Sequence, residues 1–298
     1  MFDSKRPQIL VTGANGQIGR LVLTQLLRWL PPDQITAAVR HSESVSDLAA
    51  RGVKVRIADY DLPDTLDAAL AGIDRMLLVS SSNVRGRTLQ HQNVIEAAVR
   101  AGIKRLAYTS ILHADTSALA LAEEHRETEA LLAQADIGAV MLRNGWYTEN
   151  LTMGLAPALA NGAHFGCASD GRFATAARVD YAEAAAAVLL ADRPEPVYEL
   201  AGDNGFTLTD YAAEISRQSG RDVRYVDLSQ ADYAAALVGA GLPPPLADIL
   251  ADADAAAAKD QLFDDGGELS RLIGRPTTSM AEVVSAALAV QSEQSDQS

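Results

Sequence analysis

QILVTGANGQIGRLVLTQLLRWL, residues 8–30, is a short β-type run, a glycine-rich turn and an apolar helical pattern written end to end. The run at 9–12 closes on Gly13, and the spacing from there is G-x-x-G-x-x-G through Gly16 and Gly19. Leu21, Leu23, Leu26, Leu27 and Leu30 then carry the helical pattern. Strand, glycine turn and helix in this order form the phosphate-binding corner of a doubly wound α/β domain. Gly13 supplies the sharp turn, Gly16 lets a phosphate approach backbone that carries no Cβ, and Gly19 is expected to bring the helix close to the sheet. The free N–H groups of the first helical turn, around Asn15, Gln17 and Ile18, would face a pyrophosphate, and the helix dipole favours negative charge there.

Downstream, strand patterns at 35–39, 53–57, 75–79, 105–109 and 138–143 alternate with helical patterns at 45–51, 65–71, 88–101 and 123–134. That rhythm predicts βαβ units and a parallel sheet, a Rossmann-type α/β fold. Past residue 150 it loosens. We expect a helix at 151–161, an irregular glycine-rich stretch at 163–175, and an Ala-rich helix capped by Asp180 and ending at 191. A late strand at 197–200, a helix at 209–219, a short strand at 223–227 and helical sequence from 229 follow. The expected organisation is a dinucleotide-binding domain over 1–150 and a smaller, mostly helical substrate lobe over 151–298. Residues 177–203 or so are expected to pack back on the sheet, and the polar tail 291–298 to be disordered.

The 298 residues carry a formal net charge of −14, which argues against nucleic acid as a direct ligand. An anionic cofactor must then be held by local donors. The single cysteine, Cys167, excludes an internal disulfide, and the five histidines show no ligand-type spacing, so no metal is expected. The opening MFDSKRPQIL lacks the apolar core of a signal peptide, and no apolar run is long enough to span a membrane. A cytoplasmic protein is expected, with a homodimer left open.

Candidate ligand-binding residues gather at predicted strand ends. Arg40 follows the second strand, where an arginine suits a 2′-phosphate and an acid would suit free ribose hydroxyls. NADP preference follows, the alternative being a solvated loop arginine. Asp59 either accepts from an adenine amino group or holds a turn. Ser80, Ser81 and Ser82 end the fourth strand as crevice hydroxyls or as an ordinary serine-rich loop. Tyr108 and Ser110 end the fifth strand, and Arg143 and Asn144 the sixth.

TGANGQIG, AAVR, LLVSSS, AYTSILHADTS and LRNGWYTEN together resemble the NmrA-like, atypical branch of the short-chain dehydrogenase superfamily. YELAGD, LFDD and LIGRPTTS are similar to its quinone-reducing bacterial members. The resemblance covers nearly the whole chain. It implies NADPH, binding along the first half, hydride transfer to a quinone, and a substrate cleft between the lobes.

One departure bears on mechanism. Typical short-chain dehydrogenases place a tyrosine and a lysine on the helix after the fifth strand, the lysine lowering the phenol's pKa. With that helix aligned on ETEALL, the lysine position falls on His125 and the tyrosine position on Leu121. His125 is either a solvated histidine or a contact for the nicotinamide ribose; His113 and His91 are equally open. Asn144 could bond the carboxamide or a quinone oxygen. Trp146 and Tyr147 either stack on the acceptor ring or fill the seam between lobes. An NADPH-dependent quinone reductase is the leading reading. A non-catalytic NADP-sensing regulator acting through a protein partner is the alternative, and a reductase of a triphenylmethane dye or enone is a third.

Overall fold

The computed structural model describes residues 7–83 and 86–295. In chain order it runs β1 (Ile9–Val11), α1 (Gln17–Leu26), β2 (Ile35–Val39), α2 (Ser46–Ala50), β3 (Lys54–Ile57), α3 (Pro63–Leu70), β4 (Arg75–Leu78) and α4 (Arg87–Ala101). Next come β5 (Arg105–Ile111), α5 (Ala122–Gln134), β6 (Ala139–Asn144), α6 (Thr148–Thr152), α7 (Leu155–Asn161), β7 (Ala163–Gly166), α8 (Arg178–Leu190) and β8 (Val197–Leu200). The chain finishes with α9 (Leu208–Ser219), β9 (Arg224–Asp227), α10 (Gln230–Gly239), α11 (Pro244–Ala257), α12 (Glu268–Ile273) and α13 (Met280–Ser295).

Two compact units result. The first comprises residues 1–114, 123–144 and 178–198. Its sheet has the order β3-β2-β1-β4-β5-β6-β8 and is parallel from β3 to β6. Hydrogen bonds from Met141 to Pro196 and from Gly145 to Leu200 advance together, so β8 runs the same way. Strand order reverses between β1 and β4, the topological switch point at which such sheets bind ligands beyond their carboxyl ends. One face is covered by α1 and α8. On the other, Leu10, Met76, Leu78, Leu106 and Tyr108 meet Leu66 and Leu70 of α3 and Val94 and Ile95 of α4. Strands buried on both faces explain the near-continuous apolar runs in the sequence.

Several boundaries differ from expectation. β5 continues to Ile111 because β6 pairs with it to the end, Ile111 opposite Asn144, so Ser110 is a strand residue. α3 opens at Pro63, where a proline's fixed φ suits the first turn and its missing N–H costs nothing. α8 opens at Arg178, which puts Asp180, fully buried, inside the first turn rather than at the cap.

The second unit comprises residues 115–122, 145–177 and 199–298. Its only regular pairing among the described residues is β7 with β9, parallel from Ala163–Arg224 to Gly166–Asp227. The sequence reads as irregular at β7 because the strand is short and its partner lies about sixty residues downstream. Phe173 bridges both Phe206 and Leu262, tying three loops together. Gln291 to Ser295 continue α13 rather than beginning a disordered tail; residues 296–298 of that expected tail lie outside the described residues. Among the described residues no helix is long and apolar enough to cross a membrane.

Candidate active site

The turn from β1 to α1 has the backbone its glycines predict. Gly13 sits at φ +57°, left-handed, and a Cβ on it would press Val79 of the neighbouring strand end at 3.3 Å. The Gly16 N–H donates to the Gly13 carbonyl (2.9 Å), and the Arg20 N–H reaches back to the Gly16 carbonyl (3.0 Å). Gln17, Ile18 and Gly19 therefore present first-turn N–H groups that have no acceptor within the helix. Asn15, Gly16 and Gln17 are exposed and Ile18 is half-buried. A Cβ on Gly16 would meet only the Gly13 oxygen, at 3.2 Å, so the space over it is open. The role of Gly19 is corrected: its Cβ would run into the Gly13 carbonyl, so the third glycine lets the helix pack on its own loop rather than on the sheet.

Thr12 fastens this corner. Its hydroxyl donates to the Leu77 carbonyl (3.1 Å) and accepts from the Val79 N–H (2.9 Å) and the Tyr60 hydroxyl (2.5 Å). Burial pushes the Tyr60 phenol well above its ordinary pKa, so it is a neutral donor. Arg40 stands exposed at the end of β2, with no hydrogen bond or ion pair among the described residues. Asp59 is a turn acid in this structure: Oδ1 accepts from the Asp61 N–H (3.0 Å), and its own N–H donates to Thr65 Oγ1 (2.9 Å).

The three serines separate. The Ser80 N–H donates to Thr109 Oγ1 (2.8 Å), and Ser82 is exposed. The Ser81 hydroxyl is committed to the protein, donating to Gln90 Oε1 and accepting from the Asn83 N–H (3.1 Å), a correction to its expected role at a ligand. The Ser81 N–H also donates to His91 Nε2 (2.9 Å). Thr128 gives its hydroxyl proton to the Glu124 carbonyl, so His91 Nδ1, 2.9 Å away, must donate to Thr128. His91 is thus a neutral imidazole with one defined tautomer, and burial, helped by the charge of Arg87, lowers its pKa to about 3. It braces the β4–α4 loop.

At the ends of β5 and β6 the expected set divides again. Arg143 makes a bidentate pair with Glu129, Nε to Oε1 (3.1 Å) and Nη2 to Oε2 (2.8 Å), and the Ser110 hydroxyl donates to the same carboxylate (2.5 Å). Both bond Glu129, an α5 residue that the sequence does not single out. Tyr108 is corrected as well: its ring is wholly buried in the α3/α4 core and its hydroxyl meets His125 Nδ1 at 2.7 Å. Alternation along β5 turns Tyr108 and Ser110 to one face, toward α4 and α5. His125 is 6% exposed, so the solvated reading fails; burial, with Arg87 and His91 nearby, lowers its pKa to about 3. Asn144 is the opposite case. Its Oδ1 is buried at the carboxyl end of β6 with no hydrogen-bond partner among the described residues. A buried acceptor left unpaired costs ~1–3 kcal/mol, and a nicotinamide carboxamide offers the missing N–H. The glycine turn and this orphan acceptor fit a dinucleotide.

Trp146 and Tyr147 belong to the second unit. The backbone there pairs with Ala176, Ala176 N–H to Trp146 carbonyl (3.3 Å) and Thr148 N–H to Ala176 carbonyl (3.0 Å). Trp146 lines a cavity of about 280 Å³ whose walls include Leu151, Pro157, Phe165, Leu237 and Leu242. Tyr147 is not among its lining residues. Two buried polar residues, His164 and Asp254, also reach this cavity, and the sequence reading named neither as a site residue. Asp254 had a signal: it is an acid inside the alanine run ADADAAAA.

Fold and site together define a nucleotide-dependent oxidoreductase of the doubly wound type, and the chain belongs to the NAD(P)H-binding family, whose model matches residues 13–192. Among its relatives, quinone oxidoreductase 2 of Escherichia coli (strain K12) is 52% identical over 278 residues, 93% of this chain and 97% of that protein. The crystal structure of the Escherichia coli NADPH-dependent quinone oxidoreductase complexed with NADPH superposes with a TM-score of 0.92, at 52% identity, over 94% of this chain and 99% of that one. The Citrobacter sp. triphenylmethane reductase complexed with NADP(H) does so at 0.90 and 36% identity, again over 94% and 99%.

Proposed function

We propose that this protein reduces quinones with NADPH, delivering a hydride without a tyrosine–lysine pair. The observation that carries the reading is what occupies the pair's place. His125 is buried against Tyr108 with a pKa of about 3, and no lysine stands on α5. The tyrosine–lysine pair is thus missing from α5, which suits an acceptor that needs no such help. The 52% identity to the Escherichia coli enzyme supports the acceptor class.

When bound, NADPH supplies the hydride from its nicotinamide ring. The N–H groups of Gln17, Ile18 and Gly19 hold the pyrophosphate, and Arg40, which pairs with no acid among the described residues, takes the 2′-phosphate. Asn144 Oδ1 accepts from the carboxamide. A quinone is electrophilic already, and the hydroquinone anion left by the hydride takes its one proton from water, so these residues contribute proximity and orientation. Trp146 offers the acceptor a flat face.

Steady oxidation of NADPH by a small quinone tests the proposal. Tight NADPH binding without turnover over a panel of quinones would replace it with the regulatory reading.

A further inference from the structure

The cavity of the second unit is built for a particular kind of ligand. Tyr233, Ala236 and Leu237 of α10, with Ala240 at its C-cap, line it at i, i+3, i+4 and i+7, one face of the helix. α10 has no buried residue, so that apolar face looks onto the cavity instead of a packed core. Leu250 and Asp254 follow one turn apart on α11. Met153 (59% exposed) and Phe165 (39%) leave further apolar surface at the cavity.

Asp254 is the exception in these walls. Gly166 carries no Cβ, which would lie 2.7 Å from Asp254 Oδ2, and this lets the strand backbone come close. The next N–H, that of Cys167, then donates to Oδ2 at 3.1 Å. Oδ1 makes no hydrogen bond among the described residues, although the residue is only 7% exposed. A purely structural acid would need only Oδ2.

We propose that this cavity binds a flat apolar ring compound bearing a carbonyl oxygen, and that Asp254 Oδ1 is the hydrogen-bond partner of that oxygen. At about 280 Å³ it lies just below the ~300–1,000 Å³ usual for ligand pockets, so it takes one or two rings and not a long tail. Identifying the ring compound as a quinone rests on the quinone-reductase reading; the site itself does not.

A carbonyl accepts, so Asp254 must carry the proton. Burial, reinforced by Asp227, pushes its carboxyl up to about 7. The other groups facing it hold one state around that value. Burial raises the Cys167 thiol to about 12 and lowers His164 to about 4. Tyr225 and Tyr233 are driven upward by burial, with Asp254 adding to it. Asp227, which burial alone would raise, is kept low by hydrogen bonds from Tyr225 and Ser169. Affinity should therefore follow the Asp254 proton and fall as pH rises.

Equilibrium dialysis of the cofactor-free protein against 1,4-naphthoquinone tests this. We expect binding that weakens about tenfold from about pH 6 to about pH 8, tracking the protonated fraction. Asp254→Asn, whose amide accepts from Cys167 and still donates, should bind with affinity independent of pH. Ala236→Trp, an exposed position on the lining face, should abolish binding without touching the core. Wild-type pH dependence in Asp254→Asn, or undiminished binding in Ala236→Trp, overturns the assignment. Binding in the expected pattern by a protein that never oxidises NADPH with naphthoquinone upholds the site and removes the quinone-reductase reading instead.

Discussion

Replacing Asn144 by leucine should make the cofactor-free protein more stable and the cofactor weaker. The Asn144 side chain makes no hydrogen bond among the described residues, its Oδ1 is fully enclosed, and the residue is 6% exposed. Without a ligand the protein bears the cost of a buried, unpaired acceptor, ~1–3 kcal/mol. Leucine is close in volume and removes that cost, so stability of the cofactor-free form should rise by about that amount. The strand pairing survives, because the Asn144 backbone carbonyl still accepts from the Leu112 N–H at 2.9 Å. If the acceptor is reserved for the carboxamide, the bound state loses the hydrogen bond and leaves an unmet donor, also ~1–3 kcal/mol. At ~1.4 kcal/mol per decade, NADPH affinity should drop about 5- to 150-fold. Urea unfolding without cofactor and an NADPH titration measure the two halves. A variant that is less stable and binds NADPH as before would show that Oδ1 answers to some other need.

Arg40→Ala removes a charge-assisted hydrogen bond worth ~1.5–3 kcal/mol, so NADPH should weaken about 10- to 150-fold and NADH hardly at all; equal losses in the two dissociation constants would rule out 2′-phosphate reading. Gly16→Val should retain the fold, since its Cβ meets only the Gly13 oxygen at 3.2 Å, while the branched side chain fills the open space above and NADPH binding is lost; circular dichroism and a cofactor titration separate the two effects. His91 and His125 fall from an unperturbed 6.5 to about 3 in the fold, so each contributes stability that is fully present above pH 6.5 and lost as pH falls through the window to 3. At about pH 5 the loss is ~2 kcal/mol per histidine, and His91→Gln, which can keep both hydrogen bonds, should flatten the pH dependence of unfolding by that much.

The glycine turn and the alternation of strands were legible in the sequence because both are local: three glycines at fixed spacing and apolar runs of strand length. That Arg40 and Asn144 lie at strand ends was legible for a related reason, since strand ends follow from the same local pattern. What escaped was pairing over distance. Nothing in LRNGWYTEN announces that Arg143 will close on Glu129 or that Ser110 will share that carboxylate. Tyr108 went astray by one step of strand alternation, which turns its ring into the core while its neighbour Thr109 meets the Ser80 N–H. β7 and the cavity beside it depend on contacts between residues about 60 and 90 positions apart, beyond any periodicity.

The corrected positions tell a consistent story about protons. In the first unit, three buried groups near the ends of β4 and β5 are shifted away from neutral pH. His91 and His125 are held neutral, and the Tyr108 phenol is pushed well above its ordinary range, chiefly by burial. Arg143 is ion-paired with Glu129 at the end of β6. A general acid must change state near working pH to be useful, and none of the three shifted groups does. His91, His125 and Tyr108 therefore serve order and orientation, and they do not supply the proton that an alcohol–ketone exchange needs with the hydride. A quinone reduced by a hydride needs only one further proton, and it can take that from water after the hydride has moved. Asp254, raised to about 7 chiefly by burial, is a carboxyl in the second unit whose state changes in that range. Its surroundings fit it to recognise an acceptor's oxygen, and that recognition, rather than proton delivery in the hydride step, is where pH dependence should enter.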